Sequence, residues 1–168
     1  MSYNHSRPTY IKFQGRTVKL VRKDFSTFMK ALNIVLFWVG GFMDRYWTTI
    51  GDTIYYPTWI TISPLSDSFK RILGHELMHV EQFHKYGKFL MALGYLGPPF
   101  FFFTFRWKIE QRPWLYSIQN GAYTPEVAAG ILHQAYARPW PKRWMQAWFE
   151  KHINEDLEFS YDIAGYWQ

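Results

Sequence analysis

Cysteine is absent from all 168 residues. That one absence excludes disulfide frameworks, cysteine-ligated metals and thiol nucleophiles together. Charge is sparse as well, at 19% of the chain against a hydrophobic fraction of 48%, a balance that favours a buried core over disorder. Long apolar runs are also missing. Phe89 to Phe105 is the longest uncharged stretch, seventeen residues, whereas a membrane-spanning helix needs about 20. Gly94, Gly97, Pro98 and Pro99 break its helical pattern besides. Ala31 to Met43 is thirteen residues and includes Asn33, so it too falls short. No secretory signal opens the chain, because Met1 to Tyr10 is polar. No repeat, low-complexity linker or internal boundary interrupts it, and a single domain over residues 1–168 is expected.

What the chain does have is aromatic side chains, 21% of residues with nine tryptophans. Such density implies a heavily aromatic core or exposed rings meant for a partner or a membrane interface. The net charge of +6 is unevenly placed. Arg7, Lys12, Arg16, Lys19, Arg22, Lys23 and Lys30 face Asp24 alone in the first thirty residues, so residues 1–23 form a basic arm. Residues 150–168 form an acidic tail with Glu150, Glu155, Asp156, Glu158 and Asp162 against Lys151. A basic arm can meet anionic lipid or an acidic partner. No nucleic-acid reading motif accompanies it, so no specific nucleic-acid binding is expected.

The elements are legible in order. Ile11 and Phe13, then Val18 and Leu20, alternate with polar residues around Gln14-Gly15, which predicts a β-hairpin over Tyr10 to Val21. A helix is predicted from Ser26 to Val39, ended by Gly40-Gly41. Thr48 to Pro57 reads as one strand and Trp59 to Ile62 as a second, short one. A helix then starts at Ser66 or Ser68, with Phe69, Ile72, Leu73, Leu77, Val80 and Phe83 at helical spacing and Gly87 as its stop. Beyond it come a short helix, a Pro-Pro turn and the run Phe100 to Phe103. A helical segment over Arg106 to Gln119 is interrupted or started by Pro113. Thr124-Pro125-Glu126 opens a further helix to Ala137. The last helix follows Pro141, with Trp144, Met145, Ala147, Trp148 and Phe149 as its apolar stripe.

Chemistry concentrates at His75-Glu76-Leu77-Met78-His79. Residues four apart on a helix lie one above the other, so both imidazoles can reach one ion. Glu76 lies beside that face, where a carboxylate handles a water proton rather than the metal. Six histidines and seven glutamates in 168 positions would produce this pattern by chance about 0.01 times. Zinc suits nitrogen donors, and a catalytic zinc site has three protein ligands and one open position.

The third ligand must come from elsewhere. A metzincin pattern fails, because Gln82 and Lys85 stand where its Gly and third His belong. His84 is nine residues after His75 and Glu81 two after His79, so both face away on the same helix. Glu110 is the better candidate, since it follows a turn long enough for the chain to run back beside the zinc helix. Glu126, Glu150 and Glu155 are its rivals. Tyr116, Tyr123, His133 and Arg112 are candidates for a donor to a developing oxyanion.

These residues carry a resemblance. The chain resembles the gluzincins, in which the third ligand is a glutamate on a later helix. More narrowly, it looks like small bacterial and phage-type proteins of that kind. The likeness rests on His79-Val80-Glu81-Gln82, Tyr86-Gly87, Tyr95-Leu96 and Ile109-Glu110-Gln111-Arg112-Pro113-Trp114, and it covers Thr48 to Ile118. The best-known gluzincins have Asn before the ligand Glu and Asp four residues after it. Ile109 and Trp114 occupy those places here.

The resemblance implies a mainly helical, zincin-like α+β domain with a small N-terminal hairpin or sheet before the zinc helix. It implies a zinc metallopeptidase, with Zn2+ held by His75, His79 and Glu110 and with Glu76 as the catalytic base. Its partner would be a protein or peptide substrate, and its location cytoplasmic or in a virus particle. Two other readings compete. One is a non-enzymatic component of a larger assembly, such as a phage particle. The other is a membrane-surface protein that uses Phe89 to Phe105.

Overall fold

The computed structural model describes residues 8–36, 41–60, 66–96, 99–135 and 140–157. It has an α+β architecture of one small sheet and predominantly helical structure. The described residues fall into two compact units, one ending at Phe69 and the other beginning at Lys70.

The first unit is built on a four-stranded sheet in the order β1-β2-β4-β3. β1 (Thr9–Phe13) and β2 (Arg16–Arg22) form the expected hairpin, with Ile11 opposite Val18. Gln14 (φ 48°) and Gly15 (φ 75°) both take positive φ at the turn, the pairing that matches the twist of the flanking strands. Period-two alternation puts Ile11, Phe13, Val18 and Leu20 in the core. α1 (Thr27–Val35) follows, its first turn capped by Ser26 Oγ, which accepts from Met29 N at 3.2 Å. Residues 37–40, at the predicted end of that helix, lie outside the described residues.

After the single turn of α2 (Phe42–Arg45), the segment read as one strand is two, β3 (Thr48–Ile50) and β4 (Thr53–Tyr56). Gly51 at φ 58° turns the chain between them and makes an antiparallel pair. β4 then runs parallel to β2, with Ile54 beside Leu20. The short strand expected next does not form where it is described, since Trp59 lies in a turn, and residues 61–62 lie outside the described residues.

α3 (Asp67–Leu96) starts where expected, with Ser66 Oγ facing Phe69 N at 3.5 Å. Its helical backbone breaks at Gly87 (φ 78°, ψ 157°), a conformation that only glycine adopts readily. Leu73, Leu77, Val80 and Phe83 are buried as the spacing requires, but Ile72 is 36% exposed.

The second unit holds the rest of α3 together with α4 (Pro99–Gln119), α5 (Pro125–Ala135) and α6 (Lys142–His152). α4 is longer than predicted: its backbone is helical from Pro99 through the phenylalanine run and straight past Pro113. Among the described residues, no helix is long and apolar enough to cross a membrane. Trp107 and Trp140 are buried in a core of this unit, with Trp114 and Trp148 partly buried against it, whereas Trp144 is 48% exposed. Trp107 is ringed by Trp140, Trp144, Trp148 and Phe149 at centroid separations of 5.0–5.8 Å. Leu115, Ile118, Ala128, Leu132 and Met145 complete that cluster.

Candidate metal centre

Four contacts set the register of α3 against α4. Gly74 meets Tyr116, His75 meets Ser117, Gln82 meets Ile109, and Gly94 meets Phe105. From Gly74 to Gly94 along α3 the partners on α4 run back from Tyr116 and Ser117 to Phe105, so the helices run antiparallel. Two glycines permit the close approach. A Cβ at Gly74 would overlap the Tyr116 ring, and one at Gly94 would overlap Phe105 and stand 2.9 Å from Ile109 Cδ1. This register delivers Glu110 opposite the two histidines.

His75 and His79 lie on one face of α3, with ring centroids 5.2 Å apart. His75, His79 and Glu110 each offer a ligand atom within 4.8 Å of the others, close enough to hold one metal ion. His79 Nε2 is 3.8 Å from Glu110 Oε2, and both side chains are almost wholly buried. Glu76 is buried as well, at 7% exposure, on the residue next to His75.

Hydrogen bonds fix which nitrogens face the centre. Ser117 Oγ donates to Pro113 O at 3.1 Å, so its lone pair is left to accept from His75 Nδ1 at 3.0 Å. Gln82 Nε2 donates to Ile109 O at 2.7 Å, so Gln82 Oε1 is turned toward His79 Nδ1 at 2.9 Å. With these partners Nδ1 is assigned as the protonated nitrogen in both rings and Nε2 as the nitrogen with the lone pair. Trp114 Nε1 donates to Glu110 Oε2 at 3.1 Å, and its ring stands edge-on to His75 at 5.6 Å.

Burial pushes His75 well below the usual imidazole pKa, and the neighbouring His79 adds to this, while a hydrogen bond to the Pro113 carbonyl opposes it. A neutral His75 is the form that donates a lone pair to a metal.

The rival carboxylates are engaged elsewhere. Glu126 pairs with Lys142 at 3.2 Å, Glu150 accepts from Gln146 at 2.8 Å, and Glu155 lies 3.7 Å from His152. His84 is exposed. Of the candidates for an oxyanion donor, His133 is tied through Nδ1 to Trp140 O at 2.7 Å, in the α5–α6 cluster. Arg112 lines a small surface recess with Glu81, Lys85 and Lys108. Tyr116 packs on Gly74 beside the histidines, and the Tyr123 ring lies tilted against Trp114 at 5.4 Å.

The donor set tests whether zinc fits. Two imidazoles whose tautomers are fixed and one buried carboxylate are the ligand types of a catalytic zinc site that keeps a fourth position open. Gln82, Ser117 and Trp114, which hydrogen-bond to His79, His75 and Glu110, were not singled out from sequence. Gln82 lies three residues after His79 and Trp114 four after Glu110, a spacing that sequence offers, whereas Ser117 meets His75 across 42 residues and is informative only once the α3–α4 register is known.

Comparisons with protein-family models, with curated proteins and with solved structures found no match.

Proposed function

We propose that this protein is a zinc-dependent metallopeptidase with a zincin-like, gluzincin-type site, in which His75, His79 and Glu110 hold Zn2+ and Glu76 moves the protons. One observation carries the reading: the three ligand atoms converge within 4.8 Å, each on a side chain that a second residue holds in orientation.

The chemistry that zinc supplies when bound is Lewis-acid polarisation of a carbonyl and a lowering of the pKa of water toward about 7. The rest belongs to the protein. Gln82 and Ser117 keep the Nδ1 protons in place, so neither imidazole can turn its protonated nitrogen inward. Trp114 holds Glu110 Oε2 in place by its indole N–H. Glu76 takes the proton of the attacking water on its carboxylate and passes it to the leaving amine nitrogen. Burial of Glu76 strengthens its interaction with charge developing nearby, because the local dielectric is low.

The test combines elemental analysis with turnover of a generic unfolded protein substrate. The wild type is expected to bind one zinc per chain and to cleave. Glu110→Ala is expected to lose zinc. Glu76→Gln is expected to keep zinc and lose cleavage by about 100-fold or more. Full zinc occupancy in Glu110→Ala would remove Glu110 from the site, and a wild type that takes up no divalent metal would end the proposal.

A further inference from the structure

Pro113 lies in the interior of α4, where a proline is costly because it has no N–H for the carbonyl four residues back. That carbonyl belongs to Ile109, a residue with no exposed surface. A buried carbonyl is ordinarily paired. Here its donor is the side-chain amide of Gln82, reaching across from α3 at 2.7 Å.

The consequence for the metal centre follows from the chemistry of an amide. Gln82 has one donor end and one acceptor end. With Nε2 committed to Ile109 O, the acceptor Oε1 has to face the other way, and it meets His79 Nδ1 at 2.9 Å. Were Ile109 O already satisfied by a backbone N–H, its pull on the NH2 end of Gln82 would be weaker, and the end of Gln82 that points at His79 would be less firmly set. With the NH2 end toward it, His79 would have to shift its proton to Nε2, the atom that faces Glu110 Oε2 at 3.8 Å. The backbone carbonyl of position 113, which any residue there would supply, accepts from Ser117 Oγ at 3.1 Å, and that oxygen holds His75 Nδ1 at 3.0 Å, so the His75 contact is expected to persist when the proline is replaced.

We propose that Pro113 is a positioning residue for the metal centre: by leaving the Ile109 carbonyl without a helical donor, it orients Gln82, and through Gln82 it fixes the tautomer of His79. The proposal rests on the reading of His75, His79 and Glu110 as a zinc site, but its effect on the His79 proton exists without metal.

Pro113→Ala supplies the missing N–H and separates this role from a structural one. Alanine at an interior helical position favours the helix, so the melting temperature of the metal-free variant is expected to equal or exceed that of the wild type. Its zinc affinity, measured by competition with a chromophoric chelator, is expected to fall about 10- to 100-fold, the range for losing a group that orients a ligand.

Gln82→Leu is expected to show a similar loss, and adding Pro113→Ala to it should cost little more. Gln82→Glu alone sets a carboxylate against the Ile109 carbonyl and is expected to be worse than Gln82→Leu. Gln82→Glu combined with Pro113→Ala is expected to recover affinity to within about tenfold of wild type, because the carboxylate then accepts from His79 Nδ1 unopposed. In metal-free protein, two-bond 1H–15N correlations should place the His79 proton on Nδ1 in wild type and on both nitrogens in Pro113→Ala.

Unchanged zinc affinity in a folded Pro113→Ala or Gln82→Leu would overturn the proposal and leave the metal site standing. So would losses that simply add in the double variant. A wild type that binds no zinc would end the metal reading, and the His79 proton position would still decide whether Pro113 acts through Gln82.

Discussion

The indole N–H of Trp114 donates to Glu110 Oε2 at 3.1 Å, one helical turn along α4. A carboxylate that accepts a hydrogen bond on one oxygen is held in a single orientation, and the other oxygen is directed by it. Trp114→Phe keeps an aromatic ring beside His75 and removes the donor together with part of the indole. Zinc affinity is expected to fall by about tenfold or more, with folding stability reduced by only about 1 kcal/mol. Chelator competition and urea denaturation of the metal-free protein measure the two separately. Equal zinc affinity in both proteins would show that Glu110 needs no such support.

Gly74→Ala is expected to destabilise the protein although it lies in a helix. Replacing a helical glycine by alanine normally stabilises by about 1 kcal/mol. Against that, the new methyl would overlap the Tyr116 ring, and overpacking a core costs about 1–3 kcal/mol. The net expectation is a loss, read as a lower urea midpoint. Because Gly74 precedes His75, displacement of Tyr116 should also weaken zinc binding. A stabilised variant would mean that α4 can retreat freely.

How far the sequence alone reached depends on whether a feature is local. The helix under His75 and His79, the Gln14-Gly15 hairpin and the Thr124-Pro125 helix start were all legible, because each is encoded by residues within a few positions of one another. Glu110 was legible only as the better of several acids, since its place opposite His79 depends on two glycines twenty residues apart. Ser117 was not legible as an orienting group for the same reason, whereas Gln82 and Trp114 stand at helical spacing from His79 and Glu110. Pro113 misled: proline reads as a helix boundary, yet α4 continues because a side chain from another helix takes over the orphaned carbonyl. Gly51 misled in the other direction, because one glycine at positive φ turned an apparently continuous strand into a pair.

The metal-free protein is expected to lose stability as the pH falls below about 6.5. His75 has a folded-state pKa well below its ordinary value, through burial first and His79 second. In the unfolded chain it titrates near 6.5. Above that pH neither state binds the proton and His75 contributes no slope. Below it the unfolded state binds the proton and the folded state does not, so unfolding is favoured progressively until the folded pKa is reached. The limiting slope from one such group is about 1.4 kcal/mol per pH unit. Urea midpoints at pH 7.5, 6 and 5, with chelator present, check this. His75→Gln should flatten the profile, and an unchanged slope would place the effect on other groups.

Arg22 and Lys23 are adjacent cations at the end of β2, and their surroundings predict losses of different size and salt dependence when their contacts are removed. Arg22 makes two 2.7 Å bonds to Asp24 at a partly exposed surface. An ion pair in such a place contributes about 0–1 kcal/mol and is screened by salt. Lys23 has no exposed surface. Its Nζ donates to Phe42 O at 2.7 Å and sits 3.9 Å over the Phe42 ring. Lys23→Met retains most of the apolar stem but leaves that carbonyl without the ammonium, and an unsatisfied buried acceptor costs about 1–3 kcal/mol. The ring contact, desolvated as it is, adds to the loss. Lys23→Met is therefore expected to lower stability by at least about 1 kcal/mol at any salt concentration, and Asp24→Asn by less, with the deficit shrinking as salt rises. Urea titrations at 0.05 and 1 M sodium chloride, a range over which the Debye length shortens several-fold, distinguish the two. If Lys23→Met cost no more than Asp24→Asn, burial would not be what makes Lys23 matter.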